Sequence, residues 1–378
     1  MMLLWLSCRN MQHDNNSPIE DASAKNSPQF MDNAWYAAAW SHELSRALIS
    51  RRICGRPVVL YRIEDGTPAA LEDLCCHRML PLSFGRLEGD LLVCGYHGLT
   101  FDKSGQCVRI PSQKAPGRQA RVRSYPVIER HRLIWIWVGD PARADSALVP
   151  DLHWNDDPGW TFTGDLLPMA CDYRLVIDNL LDLTHETWVH QTTIGHSLIP
   201  SCPIETVADG ESVMVSRWIL DHEPAPFWRY LMKRTRAYEG RCDRWQIVRF
   251  VPPCNVVLHI GVAEANSGAT GGDLSKGVSA MQLNSITPAT ANSCWYFWSF
   301  TRNFLHEDEQ LSAELLTTSR RIFDEDKIII EAQQSAMLEN PAAATININL
   351  DAASVRMRQM IEAGSAHGPS VAGRRQAG

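Results

Sequence analysis

The sequence predicts an α+β chain: an all-β N-terminal domain, then a larger domain in which a twisted antiparallel sheet wraps around a long C-terminal helix. Three observations carry this. From Asn33 to about residue 150 the apolar residues come in short β-rich runs, Pro57–Arg62, Leu91–Cys94 and Ile134–Gly139, closely punctuated by Gly and Pro. Residues 205–300 alternate apolar and polar in strand-like stretches such as Ser212–Ser216 and Asn255–Ile260. Residues 320–331 form an amphipathic helical segment carrying a charged run. With 378 residues, 45% of them apolar, the chain has core enough for two domains. Their expected bounds are 31–150 and 151–365. A small, polar, turn-rich extension over 1–30 is read as disordered, and 366–378 as a flexible tail.

Charge and apolar patterning exclude several classes of partner. Lys and Arg number 36 against 43 Asp and Glu, a net charge of −7 with no long basic run, so nucleic acid is not an expected partner. No apolar run approaches a membrane span, and Met1–Leu6 is too short for a signal peptide; a cytoplasmic protein without a membrane partner is expected. The eleven cysteines are then expected as thiols or metal ligands rather than a disulfide framework.

In the first domain, Cys75 and His77 form a CxH and Cys94 and His97 a CxxH, each after a short apolar run, as though on two opposed loops. Two Cys and two His suit zinc, but zinc modules of this composition usually put both Cys in one loop and both His in the other. One of each in both loops is what a Rieske [2Fe–2S] centre requires: one iron takes two thiolates and the other two imidazoles, which raises the reduction potential. Cys54 and Cys107 fit neither loop and are read as buried thiols.

The second constellation is Asn179–His190, which puts an amide, a carboxylate and two imidazoles into an apolar segment. Leu175, Val176, Leu180 and Leu183 recur at helical intervals, predicting a buried helix from Asp172 to about Glu186 with Asn179, Asp182 and His185 on one stripe. His190 lies about 140° further round an ideal helix than His185, so both imidazoles reach one point only if the helix ends or loosens after His185. Two His with a carboxylate from elsewhere make the facial triad that holds non-haem Fe(II) with positions open for O2. Spacing alone does not choose that carboxylate among Asp324, Glu325, Asp326 and Glu331.

Cys75-Cys76-His77-Arg78 with Cys94-Gly95-Tyr96-His97-Gly98-Leu99, followed by the run Asp172–His190, resembles the Rieske non-haem iron oxygenases. Within them it is most similar to the oxygenase component of the vanillate O-demethylase group, with dicamba demethylase and toluenesulfonate methyl-monooxygenase as relatives. The similarity runs from about Asn33 to about Arg358 and includes Asp243–Ile247, Trp295–Trp298 and Arg302–Phe304. One departure is Cys76, where the family commonly has Pro; it sets a redox-active thiol beside the cluster.

The resemblance implies a helix-grip second domain. It implies Cys75, His77, Cys94 and His97 as ligands of one [2Fe–2S] Rieske cluster, and His185, His190 and Asp326, the Asp preceding Lys327, as ligands of one mononuclear Fe(II). Asp182 is then the bridging carboxylate, accepting from the outer nitrogens of a cluster His and of His185. Asn179 lies near the open iron face without being a firm ligand. No dinucleotide fingerprint follows a strand, so electrons are expected from a separate flavin and iron–sulfur NAD(P)H reductase. The family also implies a head-to-tail homotrimer, in which His97 of one subunit meets Asp182 of the next. The implied activity is that of a terminal monooxygenase: O2-dependent O-demethylation of a methoxylated, vanillate-like aromatic acid to a protocatechuate-like phenol and formaldehyde.

Arg244, Arg249 and Arg302 are available to bind a substrate carboxylate, and Trp298, Phe297 and Asn284 to line an aromatic pocket, without spacing that selects among them. Two alternatives stand beside this reading. One is an oxygenase of the same family acting on an aryl methyl group or another aryl ether. The other is a non-enzymatic helix-grip ligand-binding protein with structural zinc.

Overall fold

A computed structural model describes residues 30–195, Ser197 and residues 199–367. The expected extension over 1–30 and tail over 366–378 lie outside the described residues, apart from Phe30, Ala366 and His367. Among the described residues no helix is long and apolar enough to cross a membrane, and the ten described cysteines are free thiols.

The first part of the chain is all β: β1 (Ala34–Trp40), β2 (Ile49–Ile53), β3 (Arg56–Arg62), β4 (Pro68–Glu72), β5 (Arg86–Glu88), β6 (Leu91–Val93), β7 (Thr100–Phe101), β8 (Cys107–Arg109), β9 (Val127–Arg130) and β10 (Leu133–Val138). They form three antiparallel sheets, ordered β1-β10-β9, β2-β3-β4 and β5-β6-β7-β8. Strands β1 and β10 are buried along their whole length, and the period of two, reset in β1 by a bulge between Ala37 and Ala39, sorts their side chains. Trp35, Trp40, Trp135 and Trp137 go to one core, while Tyr36, Ile134, Ile136 and Val138 go to another. The tryptophan core is shared with Leu283 and Phe297 of the second domain, so this small sheet packs on the back of the large one.

The second part contains β11 (Thr161–Met169), α1 (Tyr173–Leu181), α2 (Glu186–Val189), β12 (Glu205–Ala208), β13 (Val213–His222), α3 (Pro226–Arg236), β14 (Cys242–Val251), β15 (Asn255–Glu264), β16 (Gly277–Thr290), β17 (Ser293–Arg302), α4 (Glu309–Glu339) and α5 (Ala352–His367). Its seven strands make one antiparallel sheet, ordered β11-β17-β16-β15-β14-β13-β12. Cross-strand partners share a face, so Val248, Leu258, Gln282 and Phe300 form one row on the concave side, and Arg217, Gln246 and Ile260 belong to the next. Helix α4 lies against that side through Leu311, Leu315, Ser319, Phe323, Asp326, Ile330 and Gln334, and Tyr296 and Trp298 pack on Phe323 at 5.2 and 4.9 Å. This is the helix-grip arrangement expected from the sequence.

The helix expected to reach Glu186 stops at Leu181. Asp182 takes up an extended conformation, and its Oδ1 accepts from Thr184 N (2.7 Å) and Thr184 Oγ1 (2.6 Å). An Asp side chain that bonds its own backbone two residues on competes with the helix ladder. Arg217 Nη1 then takes the Leu183 carbonyl (2.7 Å), which draws that group out of helical use as well.

Candidate active site

The break between α1 and α2 lets both imidazoles reach one point. His185 caps the N-terminus of α2 and His190 its C-terminus, with the His190 N–H bonded to the Glu186 carbonyl at 3.0 Å. Each imidazole is fixed by its outer nitrogen. His185 Nδ1 meets the main-chain carbonyl of Asp182 at 2.5 Å, rather than its carboxylate as the bridging role required, and His190 Nδ1 meets Glu325 Oε2 at 2.8 Å. An Nδ1–H so engaged leaves the Nε2 lone pair for a metal.

Both Nε2 atoms turn to the same oxygen, Asp326 Oδ1, at 3.5 Å from His185 and 3.1 Å from His190. Ligand atoms about 2.1 Å from one ion and at right angles stand about 3 Å apart, so two imidazoles and one carboxylate here fit a facial triad. Among the described residues this is the one group of three or more such side chains whose ligand atoms converge on a single ion. Burial would push the His190 imidazole down, but Asp326 and Glu325 outweigh it and hold it up at about 9, so a cation and a proton compete for this place.

The four acidic candidates on α4 are separated by which way they face. Asp326 continues the sheet-facing line of Ser319, Phe323 and Ile330, whereas Asp324 pairs with Arg320 at 3.4 Å and Glu331 accepts from Ala170 N at 2.7 Å. That line was available as a signal, because Asp326 falls in register with the apolar residues of the helix. Asn179 Nδ2 donates to Asp326 Oδ1 at 3.2 Å. Glu325 was missed as a partner of His190. Glu325→Ala is expected to weaken Fe(II) binding about 10–100-fold in competition with a chelator, with the cluster spectrum unchanged and Glu325→Gln, which keeps an acceptor, falling between.

In the first domain the Cys75–Leu80 and Cys94–Leu99 loops repeat one another. Cys75 N–H donates to Leu80 O and Met79 N–H to Cys75 O, both at 2.9 Å; Cys94 N–H donates to Leu99 O at 2.8 Å and Gly98 N–H to Cys94 O at 3.1 Å. Met79 and Gly98, at equivalent places, both take positive φ. Cys75 and Cys94 are buried with their thiols against each other, while His77 and His97 are exposed with ring centroids 4.5 Å apart. Thiols paired inside and imidazoles paired outside fit a cluster with one all-Cys and one all-His iron. Cys76 is exposed beside them.

Residues 34–126 match the Rieske [2Fe-2S] domain family, and residues 169–366 match the vanillate O-demethylase oxygenase C-terminal domain family. Over 334 residues the chain is 39% identical to a vanillate O-demethylase oxygenase subunit from a Pseudomonas species, covering 88% of this chain and 94% of that one. The chain belongs to the Rieske oxygenases of the vanillate O-demethylase family. It is also 34% identical to the oxygenase component of dicamba O-demethylase from Stenotrophomonas maltophilia, covering 88% and 97% of the two chains. A crystal structure of dicamba monooxygenase bound to 3,6-dichlorosalicylic acid superposes with a TM-score of 0.84 at 32% identity, over 90% of this chain and 98% of that one. As a member of this family the oxygenase is an iron-dependent oxidoreductase that uses a [2Fe–2S] cluster and a mononuclear iron.

Inside the oxygenase, a pocket opens from the triad between the sheet and α4. Leu180, Leu183, Phe227, Leu258, Ile260 and Phe300 give it apolar walls, and Asn179, Glu186, Arg244, Gln246, Gln282 and Ser319 supply polar groups. Of the three arginines considered from sequence only Arg244 lines it. Arg249 is exposed, and Arg302, outside the pocket lining, donates from Nε to Phe304 O and from Nη2 to Leu305 O, Asp308 O and Ser312 Oγ at the start of α4. Trp298, Phe297 and Asn284 do not line the pocket: Trp298 packs behind Phe323, Phe297 faces the tryptophan core, and Asn284 accepts from Tyr296 Oη at 2.7 Å. Glu186 was missed, because its place next to His185 reads as surface charge. It is buried against Arg244 (3.0 Å), and although burial would raise its carboxyl, the Arg244 and Arg217 guanidiniums hold it below the usual range.

Proposed function

We propose that this protein is the terminal oxygenase of a two-component system that O-demethylates a methoxylated aromatic acid, vanillate or a close analogue, to the corresponding phenol and formaldehyde. The observation that carries the reading is the juxtaposition of the triad with an apolar pocket walled by Phe227 and Phe300, in a chain 39% identical along nearly its whole length to a vanillate O-demethylase oxygenase subunit. In this reading Cys75, His77, Cys94 and His97 hold the cluster, and His185, His190 and Asp326 hold the mononuclear iron. Residues 31–150 form the cluster domain and 151–365 the catalytic domain. Bound at these sites, the cluster would supply electrons one at a time and the mononuclear iron would supply the O2 activation that hydroxylation of the methoxy carbon requires. The hemiacetal so formed collapses to a phenol and formaldehyde. The chain's own part is to hold the ring in the apolar pocket, to fix both imidazoles by their outer nitrogens, and to keep Asp326 in place through Asn179.

Electrons come from a separate NAD(P)H reductase, and the working unit is a cytoplasmic head-to-tail trimer. Supporting the trimer, exposed Met79, Phe84 and Tyr96 surround His77 and His97, while exposed Trp188 stands on α2 beside the break that carries Asp182. Within the chain Asp182 keeps Oδ2 without a hydrogen bond among the described residues, so one acceptor is left for a partner's imidazole. A second reading, oxidation of an aryl methyl group, draws on 37% identity to a toluene-4-sulfonate monooxygenase subunit from Comamonas testosteroni. The two separate by product. With a ferredoxin-type reductase, NADH and vanillate, formaldehyde is expected in step with substrate loss. Hydroxymethyl product from a methylated arene, with no formaldehyde from any aryl methyl ether, would overturn the demethylase reading.

A further inference from the structure

Along and behind one wall of the pocket lies a buried cluster of two guanidiniums and one carboxylate. Arg217 and Arg244 are 1% and 2% exposed, and between them stands one carboxylate, Glu186, 4% exposed. Glu186 lies 3.0 Å from Arg244 Nη2 and 3.8 Å from Arg217 Nη2. Gln246 ties the group together, accepting from Arg217 Nε at 3.1 Å and from its Nη2, and donating from its Nε2 to Glu186. The other carboxylate near Arg217, that of Asp182, is half-buried and bonded to Thr184. Two buried cations against one buried anion leave one positive charge to be compensated, and a buried charge is tolerated when it is paired.

The two arginines are not equivalent. Arg217 stands behind the pocket wall with its donors on Leu183 O and Gln246. Arg244 lines the pocket itself; it donates to Ile194 O and Glu186 (both 3.0 Å) and lies over the Trp228 ring at 5.9 Å. Its Nε–H is buried with no partner among the described residues. A buried guanidinium with a spare donor, beside a pocket of aromatic and aliphatic walls, is suited to a carboxylate on a flat apolar body.

We infer that Arg244 recognises the carboxylate of an aromatic acid in this pocket, and that Arg217 acts as a positioning residue that holds Gln246, and through it Glu186, from behind. The inference rests on the demethylase reading for the class of substrate, and it adds the residue that sets specificity. It predicts discrimination against uncharged analogues, because an alcohol in place of the carboxylate leaves the guanidinium desolvated and unpaired.

The test uses anaerobic, iron-loaded holoenzyme and two probes, 4-hydroxy-3-methoxybenzoate and the uncharged 4-hydroxy-3-methoxybenzyl alcohol. Calorimetry gives Kd, and formaldehyde release gives kcat and KM. The acid is expected to bind about 10²-fold more tightly than the alcohol. Arg244→Lys and Arg244→Gln are expected to shrink that ratio at least about tenfold, and Arg217→Lys to shrink it by a smaller factor. Acid and alcohol bound within about threefold of one another by the unmodified protein would overturn the inference without need of any variant. So would a folded Arg244 variant that keeps the acid preference. Formaldehyde formed equally well from both probes would remove Arg244 from specificity and leave demethylation standing. Acid binding that depends on Arg244 without formaldehyde release would do the reverse.

Discussion

Asp326→Ala protein is expected to keep its cluster, lose its mononuclear iron and fall in oxygenase activity by roughly 10³-fold or more. The expectation follows from geometry: the one oxygen that faces both His185 Nε2 and His190 Nε2 belongs to Asp326. Two imidazoles alone hold Fe(II) weakly, since carboxylate is the hard member of this donor set. Folding should survive, because both imidazoles left behind keep their outer-nitrogen partners, Asp182 O and Glu325 Oε2, and Ala adds no buried charge. The iron count should fall by the mononuclear ion alone, while the reduced cluster signal and the melting temperature of metal-stripped protein stay close to the unmodified values. Iron retained at the full count in Asp326→Ala would place the ligand elsewhere, with Glu325 the nearest carboxylate to His190.

Asp182→Asn is expected to separate electron delivery from metal binding. His185 is oriented by the Asp182 main-chain carbonyl, not by its carboxylate, so the substitution leaves that contact intact and the iron bound. What changes is the acceptor left for a cluster imidazole of a neighbouring subunit. Reoxidation of the reduced cluster on mixing with substrate and O2 should slow about 10–100-fold, followed by visible absorbance in a single turnover. Unchanged reoxidation would remove Asp182 from the electron path. Loss of iron together with slow reoxidation would mean that it supports His185 instead.

The parts of this protein that were legible in the sequence are those where local pattern and tertiary role coincide. Continuous apolar runs such as Leu133–Val138 became strands buried on both faces, and alternation in 205–300 became the large sheet. The mixed CxH and CxxH loops were legible because ligand chemistry demands one Cys and one His on each. The break at Asp182 was not. Periodicity continued through Leu183, and the helix was ended by a side-chain turn to Thr184 and by Arg217 reaching in from β13, a contact between partners 34 positions apart in sequence. The pocket residues were hidden for the same reason. Arg217, Arg244 and Gln246 share a face only because β13 and β14 pair in one register, while Phe297 and Trp298, which look like pocket residues by composition, point to opposite sides of one strand.

One chain of this oxygenase is expected to bind a Rieske cluster and a separate mononuclear iron. Metal and sulfide analysis of anaerobically purified protein, with EPR before and after dithionite, tests it most directly. The expected result is brown protein with the two irons and two sulfides of the cluster plus one further iron per chain, and an anisotropic signal on reduction. Colourless protein holding stoichiometric zinc would contradict it.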